Sequence, residues 1–357
     1  MKKKGTILLI LIGLIFVLGA CSGTGEKASA DKNQGKNKNK QLEASIEEAS
    51  YIVPDIEYGM PENQDQGIIA VKLKIKNLSD SSILLSEYEG VKLYDGDQQI
   101  NIKPELYNRK IDLNIGTSGN LGAGKAKSFL AIFEVEKDKE YEIGLNPISS
   151  NFEEDNDELI LKLDTKKYAD SYETLQDPAK AFTAYVDQIY YEKENNDYEQ
   201  FVSADKPAMQ EAAKNTFKTE VKELFKKDLT DEEIDKLYIS YRDTLAEKAV
   251  VTSSIAAYAN DKAIVAFDIT TLPLQELYQE VYEYQKEFRD KTGNYDEKAI
   301  DEYVLSKFDI ILDSMEMKSS SRKIEVSLMK KNGKWTIDPV NKYGDSLDKI
   351  FVKGSIY

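Results

Sequence analysis

Ile69-Ala70-Val71-Lys72-Leu73-Lys74-Ile75-Lys76 alternates with a period of two: Ile69, Val71, Leu73 and Ile75 fall on one face, and Ala70, Lys72, Lys74 and Lys76 on the other. That is the pattern of a half-buried antiparallel strand. The neighbouring segments extend it. Ile46 to Val53, Ile83 to Tyr88, Val91 to Tyr94 turning at Asp95-Gly96-Asp97 into Gln98 to Ile102, Phe129 to Val135 and Leu159 to Leu163 are further strand candidates. Short strands separated by turn residues, with no long helical period between Ile46 and Leu163, predict an all-β sandwich.

Two motifs flank this pattern. Asn77-Leu78-Ser79 directly follows the alternating strand, and Leu121-Gly122-Ala123-Gly124-Lys125 precedes Ile132-Phe133-Glu134-Val135. Together they resemble the telokin-like, immunoglobulin-like sandwich domain of lipoproteins from Gram-positive bacteria, over residues 45–166. The resemblance implies a fold and no chemistry.

From Tyr168 onward the period changes to that of helices. Asp177-Pro178 opens a run in which Phe182, Tyr185, Val186 and Ile189 recur at helical spacing until Asn195-Asn196. A second helix is predicted from Pro207, with Phe217, Val221, Leu224 and Phe225 on its apolar stripe, and a third from the capping box Thr230/Glu233, with Ile234, Leu237, Tyr241 and Leu245. Val250 to Ala259 and Ala263 to Thr271 form a hairpin through Asn260-Asp261. Two helices follow, Pro273 to Lys291 and Asp296 to about Met317, and then the hairpin Ile324, Val326, Leu328, Asn332-Gly333, Lys334-Trp335-Thr336-Ile337. Strand alternation puts Trp335 and Ile337 on the helix-facing side, so Trp335 reads as a core residue. The closing Lys331-Asn332-Gly333-Lys334-Trp335, with Asn195-Asn196-Asp197 upstream, resembles the cystatin-like or NTF2-like α+β fold. That resemblance implies helices packed on a curved antiparallel sheet over residues 167–357. The boundary between two separately folding domains is expected between Leu163 and Asp177.

The N-terminus addresses all of this. Lys2, Lys3 and Lys4 precede an apolar run from Ile7 to Ala20, the pattern of a secretory signal peptide over residues 1–20. The run makes about 21 Å of helix, short of the ~30 Å hydrocarbon core, so it targets rather than spans. Leu18-Gly19-Ala20-Cys21 resembles a bacterial lipobox, which implies cleavage before Cys21 and lipidation of its thiol, palmitate being among the acyl chains implied. Residues 21–44 are then the lipidated cysteine and a flexible tether, because residues 22–41 hold hardly any apolar side chains. The combination of lipobox, sandwich and α+β module resembles an uncharacterised family of Gram-positive lipoproteins.

Composition bounds the chemistry. Cys21 is the single cysteine and there is no histidine, which removes disulfides, Ser-His-Asp and Cys-His nucleophile systems and imidazole metal sites. The formal charge of −16, which becomes −19 without residues 1–20, disfavours nucleic acid and anionic lipid headgroups as partners, although lysines outnumber acids locally. Carboxylate pairs are expected by chance among 64 acids, so no catalytic residue is assigned and the chain is expected not to be an enzyme. The acidic run Glu153-Glu154-Asp155-Asn156-Asp157-Glu158 lacks the glycine and distal glutamate of a calcium loop; no metal or cofactor is expected. Tyr185, Tyr190, Tyr191, Tyr198, Tyr238, Tyr241, Tyr278, Tyr282 and Tyr284 leave open a tyrosine-lined cleft, although helical spacing turns most of them toward a core.

The expected function is therefore a membrane-anchored, extracytoplasmic binding or interaction module contacting an envelope protein, wall polymer or small ligand. The alternative is an accessory or structural lipoprotein of a transport or secretion complex without a ligand of its own. A cleft lined by inward polar groups would favour the first, and a filled interior the second.

Overall fold

The computed structural model describes residues 37–54, 63, 65–86, 88–100, 110–111, 113, 115–149, 157–339 and 347–355. Residues 1–36, with the expected signal peptide and Cys21, and residues 153–156 of the acidic run lie outside these.

The first part of the chain is β-rich. Its strands are β1 (Asn37–Lys38), β2 (Leu42–Ile52), β3 (Gln66–Asn77), β4 (Ile83–Leu85), β5 (Val91–Asp95), β6 (Gln98–Ile100), β7 (Gly119–Leu121), β8 (Ala126–Glu136), β9 (Glu140–Leu145), β10 (Ile148–Ser149) and β11 (Leu159–Asp164). One antiparallel sheet runs β1-β2-β3-β8, a second β11-β9-β5-β6, and a small third β10-β4-β7. The inward side of β3, Ile69, Val71, Leu73 and Ile75, shares one buried core with Leu93, Ile143, Leu145, Leu161 and Leu163 of the second sheet. Such burial is worth about 1.5–3 kcal/mol per large side chain.

The two motifs flanking β3 meet in space. Asn77 is buried and fully engaged. Its Nδ2 donates to the Ser81 and Leu121 carbonyls, its Oδ1 accepts from the Ser79 N–H and hydroxyl, and its own N–H donates to the Lys125 carbonyl at 2.8 Å. Asparagine suits the position because its short amide supplies two N–H donors and a carbonyl acceptor at once.

The tether expected over residues 21–44 ends earlier than its composition suggests. Asn37 and Lys38 pair with Ala44 and Glu43 as β1, the Asn39 side chain accepts from the Gln41 and Leu42 N–H groups, and Leu42 and Ala44 are buried. A polar segment of this kind is ordered by its backbone bonds, which composition does not report.

The second part is α+β. After a 3₁₀ turn at Thr165–Tyr168 come α1 (Ala169–Glu173), α2 (Asp177–Ile189), α3 (Asp197–Phe201), α4 (Lys206–Val221), α5 (Asp231–Lys248), β12 (Val250–Ala259), β13 (Lys262–Thr271), α6 (Leu274–Thr292), α7 (Glu297–Leu305), α8 (Phe308–Ser314), β14 (Lys318–Ser319), β15 (Ile324–Lys331), β16 (Lys334–Ile337) and α9 (Leu347–Phe351). The antiparallel sheet runs β12-β13-β15-β16, with β14 beside β13. Helix α2 lies on it, Phe182 packing on Phe267 at 4.8 Å between ring centres, and Phe351 of α9 covers both. The helix expected from Asp296 to Met317 is two: the Ser306 hydroxyl takes the Tyr303 carbonyl and Lys307 leaves helical geometry. The apolar period alone would continue the helix across this break.

The outer face of the β1-β2-β3-β8 sheet changes character along its length. Near Asn77 it carries exposed Lys74 and Lys76; at the other end Ile52, Ile68, Ala70, Leu130 and Ile132 are buried with Ile111, Ala257 and Ala259 in a second apolar cluster. There β12 docks on β2, with Val53 and Tyr258 exchanging backbone hydrogen bonds of 3.0 and 2.8 Å, and the Tyr51 N–H donates to the Ser171 hydroxyl. Tyr51 also meets Tyr172 edge-on at 5.2 Å.

Candidate functional site

The tyrosines form a core. Tyr185, Tyr190, Tyr191, Tyr198, Tyr238 and Tyr241 are all buried. Tyr190 stacks on Phe351 at 4.9 Å and Phe217 on Tyr241 at 5.1 Å. Helical spacing along α2, α4 and α5 brings these rings together on their inward faces. The Tyr190 hydroxyl donates to Asp348 at 2.8 Å, and the Tyr241 hydroxyl bridges the Leu272 and Val352 carbonyls. Burial pushes the Tyr190 and Tyr241 hydroxyls well above the usual tyrosine range, and lifts Tyr185 and Tyr238 to about 12. Neutral, packed phenols of this kind hold helices together and are not poised for acid–base work near neutral pH. Tyr278 and Tyr282 stand apart on the exposed side of α6.

The open feature lies elsewhere, between α5 and the α7–α8 turn. A groove of about 470 Å³ is lined by Lys236, Leu237, Ile239, Ser240, Asp243, Leu305, Phe308 and Asp309. Its floor is apolar through buried Leu237 and Phe308, while Ile239 (47% exposed) and Ile310 on α8 (51% exposed) present alkyl groups to water. The Ser240 hydroxyl donates to Asp309 across the groove. The one signal of this site in the sequence was Ile239, an apolar position on the polar side of α5.

What fixes the groove is the seating of α5. The expected capping box is present, with the Glu233 N–H donating to the Thr230 hydroxyl and the Thr230 N–H to the Glu233 carboxylate at 2.9 Å. The loop before it is pinned by buried Asp301 of α7, whose carboxylate accepts the Lys226 and Lys227 N–H groups at 2.9 and 2.8 Å. The Lys227 ammonium and the Thr230 cap hold the Glu233 carboxyl at about 2, below its ordinary 4.5. A depressed folded-state value contributes stability above the unfolded pKa of about 4.3 that disappears as pH falls through about 2. We expect Glu233→Gln to cost about 1 kcal/mol at neutral pH and only a small part of that at pH 2, where the carboxyl is half protonated, in chemical denaturation; the cost is modest because the group is partly exposed and screened. An equal cost at both pH values would disprove it.

Between the two regions a smaller pocket of about 40 Å³ is lined by Glu48, Ser50, Ile52, Ala70, Lys72, Leu113, Ile115, Leu130 and Asn260, too small for an organic ligand. Among the described residues, no group of three or more acidic or cysteine side chains is placed to hold a metal ion. No described helix is long and apolar enough to cross a membrane.

A β-rich region followed by an α+β region, behind a lipobox-like leader, defines an uncharacterised class of Gram-positive lipoprotein. The chain belongs to the family described as a domain of unknown function, DUF5105, which matches residues 168–352. It is similar to the uncharacterized lipoprotein YcdA of Bacillus subtilis (strain 168), 24% identical over 361 aligned positions that cover 99% of both chains. The crystal structure of YcdA superposes with a TM-score of 0.64 at 20% identity, covering 89% of this chain and 98% of that one, which shows the fold. The yjhA protein of Bacillus subtilis aligns with 36% of this chain and 97% of its own at 20% identity and a TM-score of 0.28.

Proposed function

We propose that the protein is exported, anchored through lipidated Cys21 on the extracytoplasmic face of the cell membrane, and acts there as an interaction module for an envelope protein. In this reading residues 1–20 are the signal peptide, Leu18, Gly19 and Ala20 admit the peptidase, and palmitate is one of the acyl chains on Cys21. The β-rich region is an immunoglobulin-like sandwich, a reading supported by two antiparallel sheets sharing one core. The second region is a cystatin/NTF2-like module, supported by α2 lying across an antiparallel sheet. No catalysis and no cofactor belong to this reading.

The observation that carries it is the groove beside α5, an open trough with exposed alkyl walls and an apolar floor, suited to side chains of a protein segment. The filled tyrosine interior speaks against a small ligand held between the helices and keeps in play the second reading, an accessory lipoprotein of a transport or secretion complex with no ligand of its own. Cross-linking in intact cells with the anchored protein separates the two. An envelope protein recovered with the parent and lost with Ile239→Asp supports the groove; an unchanged pattern in that variant overturns it. The anchor is tested by Cys21→Ser, which is expected to move the protein from the membrane fraction to the medium or leave it as precursor. Two acyl chains at ~0.8 kcal/mol per buried CH₂ give stable attachment where one does not, and mass spectrometry showing an unmodified Cys21 in the mature chain would refute it.

A further inference from the structure

We propose that the tether-side end of the β-rich region is a docking surface for the anionic lipid headgroups of the membrane that carries the protein, a proposal that rests on the anchoring of Cys21. The observation behind it is a cluster of exposed lysines assembled by strand register. Lys38 of β1 and Lys76 of β3 both stand opposite Glu43 of β2, which places them in one row on the outer sheet face, and Lys74 occupies the next row opposite Ser45 and Ser128. The turns at this end add Lys40 and Lys125, drawn together by the Leu78 N–H to Gln41 carbonyl bond of 2.7 Å and the Asn77 N–H to Lys125 carbonyl bond of 2.8 Å. All five lysines are exposed. The carboxylates near them are Glu43, Asp80, Glu47, which lies 3.4 Å from Lys74 and 3.6 Å from Lys72, and Asp157, whose backbone carbonyl accepts the Asn39 side chain between Lys38 and Lys40 at 2.6 Å. This end is thus locally basic in a chain whose formal charge is −16.

Distance lets the patch act despite that total. At physiological salt charges are screened over about 8 Å, so a headgroup plane touching this end senses the five lysines and little of the acidic surface beyond. The chain delivers the patch there as well. Asn37, where the described chain begins, is part of the same end, and residues 22–36 separate it from Cys21. Those fifteen residues can reach at most roughly 54 Å when fully extended, which bounds the distance of the lysines from the phosphates. The opposite end of β2, ten residues or about 33 Å away, carries the α+β region. Docking by the lysines therefore orients the molecule, with the sheet as a spacer between the lipid and the junction with the α+β region.

The test uses the full mature chain with Cys21→Ser, so that binding reports the surface and not the anchor. Co-sedimentation with phosphatidylglycerol vesicles is expected at low salt, with little binding to phosphatidylcholine vesicles and release at high salt. Each lysine is expected to contribute roughly fivefold. The five-fold variant Lys38→Gln, Lys40→Gln, Lys74→Gln, Lys76→Gln and Lys125→Gln should bind at least about tenfold more weakly while melting like the parent. The pair Lys40→Glu and Lys125→Glu, confined to turns, should show the same direction if the larger variant is unstable. Equal binding to neutral and anionic vesicles, or undiminished binding by the variants, overturns the proposal. Binding to purified anionic wall polymer without binding to vesicles overturns it in favour of the polymer. Mass spectrometry of Cys21 from cells reports separately on the anchor, so the two failures are distinguishable.

Discussion

Trp335→Ala is expected to remove about 3–5 kcal/mol of stability and to lower the melting temperature by on the order of 10 °C. The indole is 1% exposed, the largest fully buried side chain among the described residues. It stands on β16 opposite Lys330 of β15, its ring lies 5.8 Å from Tyr258 of β12, and its backbone carbonyl accepts the Ser203 N–H at 2.7 Å. One ring thus joins both margins of the sheet to the segment after α3. Truncation leaves a void that the paired strands around it cannot collapse to fill, so cavity cost adds to lost transfer free energy. Because its Nε1 has no partner within the described chain, Trp335→Phe gives up area but no hydrogen bond and should recover much of the stability lost in Trp335→Ala. Calorimetry of the three proteins measures this. With a single tryptophan in the chain, the emission of the parent should be blue-shifted and resistant to iodide. A red, quenchable emission with an unchanged midpoint for Trp335→Ala would mean a surface aromatic.

Trp335 was legible in the sequence because strand alternation after Asn332-Gly333 fixes its side, and both residues take the positive φ that a tight hairpin turn requires. The same rule placed β3, β12, β13 and β15, and the Thr230/Glu233 pair placed α5. Strand β9 was missed although Tyr141, Ile143 and Leu145 alternate with Glu140, Glu142 and Gly144; its period was present, but it follows so closely on β8 that one long strand obscured the other. The groove was not legible, since it is made by the break at Ser306 and Lys307 turning α8 toward α5, a tertiary placement that no local pattern specifies. The lysine cluster was half legible. Lys74 and Lys76 read as a solvated face, but their company with Lys38, Lys40 and Lys125 depends on strand order, which alternation does not give.

The junction shows where alternation itself carried a second message. In β3 the run Ile68-Ile69-Ala70-Val71 is buried throughout, whereas three residues later only the inward side chains are. A strand that turns apolar on both faces for half its length is covered on both faces there, and the cover is Ala257 and Ala259 of β12 with Ile111. The two regions share this boundary, and we expect the chain to unfold in one calorimetric transition. Ile52→Asp is the decisive variant. Ile52 sits at the docking end of β2, opposite Ile68 and 1% exposed, yet in an undocked β-rich region its side chain would stand in water on the outer face. The substitution costs little within that region and places an unpaired carboxylate in the junction, a penalty of at least about 3 kcal/mol at neutral pH. The expected result is separation of the single transition into two, the α+β region melting first because it loses the Val53–Tyr258 backbone pair that ties β12 to β2. Below pH 4 the carboxyl is protonated and the split should narrow. Two transitions already present in the parent, or one undisturbed transition in Ile52→Asp, would show that the second apolar cluster contributes contact without coupling.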